Sequence, residues 1–314
     1  MKNLRQRFCT LSILAAVVCC ALAIAQQANP DKAGHRPSMP LTAEEPVVSP
    51  NLQATEAKLR DALRAEPNSA ELLYRLALVL RQENEPKESL TIYTQAAAVR
   101  RPTASDLRSV ALDYVLLNDY DDAVHWLRVA LSTDPASVDV LYSLGRCLYT
   151  QNRFDQAQLA FERVLAIQPD HLKAEENLGL TFDAENQPKR AEEALRLAAK
   201  WGEERRISDP WPFLDLGTFL LDQQRAADAL PYLKLAASLA PELASAREKL
   251  GHALVETGDA KAGVTELETA ARLDPKNPRV HFELGQAYRS SGDAGKAQAE
   301  FAVSKILYGE HNQN

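Results

Sequence analysis

Residues 138–171 read VDVLYSLGRCLYTQNRFDQAQLAFERVLAIQPDH, and this stretch decides the fold of the chain. Leu141, Leu144 and Leu148 stand at i, i+3 and i+7, which is the spacing of one apolar stripe along an α-helix. A second apolar run follows, and Pro169 ends it because a proline ring does not fit into a helix interior. The stretch therefore predicts two helices that are joined by a short turn and packed against each other.

The prolines that end such stretches recur at a fixed interval. Pro135 and Pro169 are 34 residues apart, and so are Pro241 and Pro275. Pro169 and Pro241 are 72 residues apart, which is two periods plus four residues. A period of 34 residues is the length of one helix pair with its turns. Seven repeats are therefore predicted, and they begin near residues 70, 104, 138, 172, 210, 244 and 278.

Within each repeat the same residue types return at the same places. A Leu-Gly pair occupies positions seven and eight in several of them, including Leu144-Gly145, Leu216-Gly217, Leu250-Gly251 and Leu284-Gly285. A glycine there allows the second helix to approach the first closely. This pattern resembles the tetratricopeptide-repeat family, whose repeats carry the signature W-x2-L-G-x2-Y, A-x3-F and P.

The resemblance implies an all-α fold, a right-handed superhelical solenoid of antiparallel helix pairs. It assigns residues 52–310 to about seven repeats, with residues 52–66 as a capping helix before the first. Three repeats depart from the family at position four, where Glu175, Arg247 and His281 replace an apolar residue. Charged heads there predict looser packing, because such side chains reach out to water. Extra residues at 201–206 predict a longer second helix or an added loop in the fourth repeat.

The first fifty residues are predicted to lie outside the fold. Lys2, Arg5 and Arg7 precede an uncharged apolar run, and small residues precede Gln26, which is typical of a signal peptide over residues 1–25. The alternative is a retained anchor, but an apolar core of about 14 residues is short for a span of roughly 20. Residues 26–50 contain five prolines and are predicted to be a disordered linker. The mature chain is therefore expected to be periplasmic or secreted, without a membrane span.

Composition and motifs argue against several classes of function. The formal charge is −7, and no basic face of the kind that neutralises phosphates is evident, so nucleic acid is not an expected partner. The sequence lacks the glycine-rich, nucleophile and zinc-protease motifs that would indicate an enzyme. The six histidines show no metal-ligand spacing. Cys147 is interpreted as a small buried hydrophobe. No catalytic residue, cofactor or metal is predicted.

The family resemblance also implies where partners bind. Positions 2, 5, 9, 12 and 13 of the first helix line a concave groove in the family, and aromatic and arginine side chains dominate interface energetics. The predicted partner-binding residues are Tyr74, Arg108, Tyr142, Arg146, Tyr149, Trp211 and Phe282. Trp211 has an equally weighted alternative, in which it packs against the extra residues of the fourth repeat. The lysine and asparagine pattern with which some family members clamp chaperone tails is missing.

The hypothesis from sequence is a non-catalytic scaffold or adaptor of the bacterial cell envelope, which binds segments of other proteins. One alternative is an accessory module that presents a glycan or peptidoglycan strand to a separate enzyme, with aromatic rings stacked on sugars. Another is self-association through the C-terminal helix, for which Ile306, Leu307 and Tyr308 are the candidates.

Overall fold

A computed structural model describes residues 51–311, and the predicted signal peptide and linker lie outside this range. The all-α prediction is confirmed, because the described residues form helices and turns without a strand. The fifteen helices of residues 51–311 are α1 Leu52–Ala65, α2 Ala70–Gln82, α3 Pro86–Val99, α4 Ala104–Leu116, α5 Tyr120–Thr133, α6 Val138–Thr150, α7 Phe154–Ile167, α8 Leu172–Ala184, α9 Pro188–Arg205, α10 Trp211–Asp222, α11 Ala226–Leu239, α12 Ala244–Glu256, α13 Ala260–Leu273, α14 Pro278–Ser291 and α15 Ala294–His311.

The helices fall into two compact units. The first unit extends to Gln168 and contains α1 to α7 among its described residues, and the second begins at Pro169 and contains α8 to α15. From α2 onward the helices pair into seven hairpins, each a helix A followed by a helix B. The first three hairpins lie in the first unit and the other four in the second.

In the last five hairpins a glycine of helix A lies in close contact with helix B. A Cβ atom added to Gly145 would lie 2.5 Å from Cε1 of Phe161, and one added to Gly217 would lie 2.5 Å from Cδ2 of Leu233. Both contacted side chains are fully buried. The side chain that fills the hairpin therefore occupies the space that a glycine leaves empty, as the repeated Leu-Gly pair predicts.

The turn between helix A and helix B has one conformation throughout. Residue 15 of every repeat adopts the left-handed region, with φ between 57° and 94°: Asn84, Asn118, Asn152, Asn186, Gln224, Gly258 and Gly292. The following amide then donates to the carbonyl five residues earlier, as in Glu85 N to Leu80 O at 2.9 Å. This is a Schellman motif, which ends a helix within one residue and satisfies its last carbonyls. It explains why three residues suffice to reverse the chain.

The extra residues of the fourth repeat lengthen its helix B rather than forming a loop. Helix α9 has 18 residues, whereas α7 and α11 have 14. Arg206, the residue that follows its last turn, is left-handed with a φ of 50°. Gly202 near this end is buried, and a Cβ there would lie 3.0 Å from Phe213. Phe213 of α10 is thus packed against the extension.

The prediction of looser packing at position four was wrong for two repeats. Arg247 Nη1 lies 2.7 Å from Glu266 Oε2, and both side chains are less than a quarter exposed. His281 Nδ1 makes the equivalent contact with Glu300 Oε2 at 2.7 Å. Both acids lie on helix B of the same hairpin, 19 residues further along the chain. A polar contact across the hairpin therefore replaces the apolar contact in these two repeats, an ion pair at Arg247 and a hydrogen bond at His281.

Candidate partner-binding surface

The A helices of successive hairpins contact each other within each unit. In the first unit α2 contacts α4 and α4 contacts α6, and in the second unit α8, α10, α12 and α14 contact one another in the same order. Each unit therefore presents a row of A helices. We call the side of this row that carries positions 2, 9, 12 and 13 of each helix A the A-face. Its exposure varies along the row, since Arg146 and Tyr149 at positions 9 and 12 of α6 are buried.

Position 5 of helix A points toward the next helix A in the row. Arg108 Nε donates to Ser143 Oγ at 2.8 Å, which links position 5 of α4 to position 6 of α6. The carboxyl groups of Glu176 and Asp215 form the same link between α8 and α10. Burial raises the pKa of Glu176 well above its ordinary value, and the Asp215 carboxyl raises it further. Position 5 thus helps to join neighbouring repeats.

Tyr74 stands at position 5 of α2 and, because this position points toward the next helix A, is only 7% exposed. Its hydroxyl donates to the carbonyl of Arg100 at 2.9 Å, and the Arg100 guanidinium lies 4.3 Å from the centre of its ring. Burial raises the pKa of the Tyr74 hydroxyl to about 12, so it remains a donor at neutral pH. Tyr74 secures the turn between α3 and α4.

Three further predicted residues lie in the interior of the first unit. Tyr142, Arg146 and Tyr149 are 4%, 2% and 2% exposed. The ring centre of Tyr142 lies 5.9 Å from that of Phe161, and the ring centre of Tyr149 lies 5.3 Å from that of Phe154. These rings pack α6 against α7, and they offer almost no surface on which a sugar could stack. Their role in partner binding stays a prediction.

Two predicted residues in the second unit are accessible. Phe282 is 46% exposed at position 5 of α14, because no further helix A covers it among the described residues. Its ring packs on Phe301 of α15 with 5.6 Å between ring centres. Trp211 is half-buried at the start of α10. Their part in binding likewise remains untested.

The A-face has exposed side chains that the sequence prediction did not select. Leu78 is 37% exposed at position 9 of α2, although it is large and apolar. Ser105, Asp222 and Glu256 are also exposed on their A helices. Leu78 belongs to the same apolar helix as the core leucines, so hydrophobicity alone did not separate it from them. Its place at position 9 of helix A does distinguish Leu78 from the core leucines.

Polar contacts in the second unit join α12 to α14 across this face. His252 Nε2 lies 3.1 Å from Glu256 Oε1, and its Nδ1 lies 3.4 Å from Glu283 Oε1. Arg279 Nε lies 3.1 Å from Glu248 Oε1 and 3.0 Å from Glu283 Oε1. The hydrogen bond with Glu283 raises the pKa of His252. The two helices are therefore held by a network that includes a titrating histidine.

Metal sites and membrane spans are absent from residues 51–311. No group of three histidine, cysteine or carboxylate side chains in this range could hold a metal ion. Cys147 is fully buried. No helix in the same range combines the length and the apolar character that a membrane span requires.

The arrangement of hairpins and A-faces defines a helical-repeat protein. Comparison with known families agrees with the resemblance seen in the sequence. Residues 51–105 and 114–175 match models described as tetratricopeptide repeat, and residues 251–292 match a model described as TPR repeat. These three matches and the hairpins of the structure support the tetratricopeptide-repeat family for this chain.

Similarity to individual proteins is low. The tetratricopeptide repeat-containing protein trd-1 of Caenorhabditis elegans is 24% identical over 159 residues, which are 49% of this chain and 19% of that protein. The chain therefore spans about a fifth of the length of this curated relative.

Two solved structures share the fold. The Cut9–Hcn1 hetero-tetramer of the APC/C matches with a TM-score of 0.63 and 16% identity, over 82% of this chain and 50% of the other. The pilF protein of Pseudomonas aeruginosa matches with a TM-score of 0.59 and 19% identity, over 75% of this chain and 99% of that one. At these identities the likeness concerns the fold alone.

Proposed function

We propose that this chain is an exported adaptor whose A-face binds a segment of a partner protein. Folds of this kind generally serve as non-catalytic interaction scaffolds, because stacked hairpins present an extended preformed surface. The observation that carries the proposal is Leu78, a large apolar side chain held 37% exposed on the A-face. Position 9 of helix A lines the partner groove in the tetratricopeptide-repeat family, and this distinguishes Leu78 from exposed apolar side chains on the B helices, such as Leu159.

The proposal is tested by replacing matched leucines. Leu78→Lys puts a charge on the A-face, whereas Leu159→Lys puts one on helix B α7, where Leu159 is 59% exposed. Both variants should keep the helical circular dichroism of the parent chain. In affinity capture from cells of the source organism, the Leu78 variant should lose a partner that the Leu159 variant retains. Equal capture by both variants would contradict binding at the A-face.

Export is the second element of the proposal, and it is supported by the charge and apolar pattern of residues 1–25. The expected mature chain begins at Gln26. Cell fractionation followed by N-terminal sequencing measures both points. Recovery of the intact chain from the cytoplasm would rule out the adaptor of the cell envelope, while leaving the binding surface to be tested separately.

Self-association is a second candidate, favoured by the terminal helix. On α15, Ile306 is 61% exposed, Tyr308 is 50% exposed and Val303 is 38% exposed. Light scattering would measure a mass above 34.7 kDa for the full chain if these side chains meet in a dimer, and Ile306→Glu should restore the monomer. A monomer at every concentration of the parent chain would refute this candidate.

A further inference from the structure

Asp113 is a carboxylic acid that is shut off from solvent. It lies on α4 in the first unit and is 0% exposed. Its Oδ2 lies 2.7 Å from Ser89 Oγ of α3, and its Oδ1 has no hydrogen-bond partner among the described residues. An ionised carboxylate in such a place would lack most of the hydrogen bonds that it makes in water, which costs several kcal/mol.

The single proton of the Ser89 hydroxyl determines the protonation state of Asp113. Ser89 Oγ also lies 2.8 Å from the carbonyl oxygen of Ala77 on α2. A carbonyl oxygen only accepts, and a serine hydroxyl carries a single proton. When the Ser89 hydroxyl donates to the Ala77 carbonyl, the contact between Ser89 Oγ and Asp113 Oδ2 is a hydrogen bond only if the Asp113 carboxyl supplies the proton.

We infer that Asp113 is protonated in the folded chain, and that its proton links α2, α3 and α4 into a pH-sensitive lock between the first two repeats. The chain of donors runs from Asp113 through Ser89 to Ala77. Each of these residues belongs to a different helix, so the lock joins the first hairpin to helix A of the second.

The groups around Asp113 agree with this state. Burial raises the pKa of Asp113 to about 8, against a lowering by Ser89 and by the positive charge of Arg81 on α2. Tyr93 of α3 and Tyr114 of α4 also face it, and burial keeps both phenols neutral by raising their pKa values. Among the described groups of α5 and α6, no charge acts directly on Asp113.

The lock weakens as the pH rises. Between the ordinary aspartate pKa of 3.8 and about 8, the folded chain holds a proton that the unfolded chain has released. The free energy of unfolding therefore falls with increasing pH across this interval and levels off above it. Above pH 8 the carboxylate attracts Arg81, which stands at position 12 of the A-face. If the proposed function is right, alkaline pH thus alters the surface that meets the partner.

The direct test is a carbon NMR titration of the aspartate carboxyl groups in the isolated chain. Asp113→Asn identifies the signal, and this amide keeps a donor for Ser89 but has no proton to lose. We expect the Asp113 carboxyl to titrate near pH 8. Titration below pH 5 would overturn the inference.

Urea unfolding at several pH values supplies the second readout. Relative to Asp113→Asn, the unfolding constant of the parent chain should rise about tenfold per pH unit between pH 4 and 8. The exposed Asp155 provides the control, since Asp155→Asn should leave this dependence as it is. Equal pH dependence in the parent chain and Asp113→Asn would refute the lock. Both measurements use the isolated chain, so their result is independent of whether a partner binds the A-face.

Discussion

The contact at Gly217 allows the packing of a hairpin to be tested quantitatively. In Gly217→Ala the new methyl group would lie 2.5 Å from Cδ2 and 2.6 Å from Cγ of Leu233. Carbon atoms in ordinary contact are about 3.5 to 4 Å apart, so the overlap is roughly 1 Å. Leu233 is fully buried, and protein interiors are close-packed, so its side chain has little room to move away.

Two opposing effects set the size of the change. Overpacking a core costs about 1 to 3 kcal/mol, whereas replacing glycine by alanine within a helix gains about 1 kcal/mol. Gly217→Ala should therefore destabilise the chain by about 1 kcal/mol. Leu233→Ala alone should cost about 2 to 5 kcal/mol through the cavity that it leaves. In the double variant the clash disappears, so the two changes together should cost about 2 kcal/mol less than their sum.

The assay is urea unfolding followed by circular dichroism for the parent chain, both single variants and the double variant. Gly295→Ala is the matched control, because its Cβ would meet nothing closer than 3.8 Å. That control should show the helix-propensity gain alone. Additive effects at Gly217 and Leu233, or stabilisation by Gly217→Ala as large as in the control, would refute close packing as the reason for the glycine.

Two further predictions concern the turns and the second unit. Gln224 is left-handed with a φ of 59°, a conformation that costs a residue with a side chain about 1 to 2 kcal/mol. Gln224→Gly should therefore raise the free energy of unfolding in urea by about 0.5 to 1 kcal/mol. Gln223→Gly, at a residue whose φ is −83°, should lower it. A gain at both positions would contradict the argument. The ion pairs of His252 should stabilise the packing of α12 on α14 below pH 6.5, and this stabilisation should be lost as the pH rises through the raised pKa of His252. Thermal unfolding of His252→Gln at several pH values measures this. A variant that keeps the parent's pH dependence above pH 6.5 would show that the network contributes nothing.

The sequence predicted the repeats well because their packing uses local spacing. The leucines and the glycine of residues 141–148 specify a helix and the face that its partner contacts, and both are readable from one repeat. The left-handed turn at residue 15 was equally readable, since asparagine or glycine stands there in six of seven repeats.

Contacts between side chains far apart in sequence were harder to predict. Arg247 and His281 looked like exposed charges until the structure placed Glu266 and Glu300 beside them, 19 residues away. Arg108 at position 5 of helix A donates to Ser143 of the next repeat, 35 residues along the chain, a contact that the spacing within one repeat does not predict. Aromatic and arginine content does not separate buried side chains such as Tyr142 and Tyr149 from exposed ones, whereas Leu78 on the A-face is 37% exposed.

Photo-crosslinking in intact cells tests the central claim, binding at the A-face, most directly. A photoreactive phenylalanine derivative replaces Leu78 in one variant and Leu159 in another, so that two exposed leucines on different helices of the first unit are compared. The account predicts one partner protein crosslinked at position 78 and absent at position 159. Crosslinking of the same protein at both positions, or at position 159 alone, would contradict it.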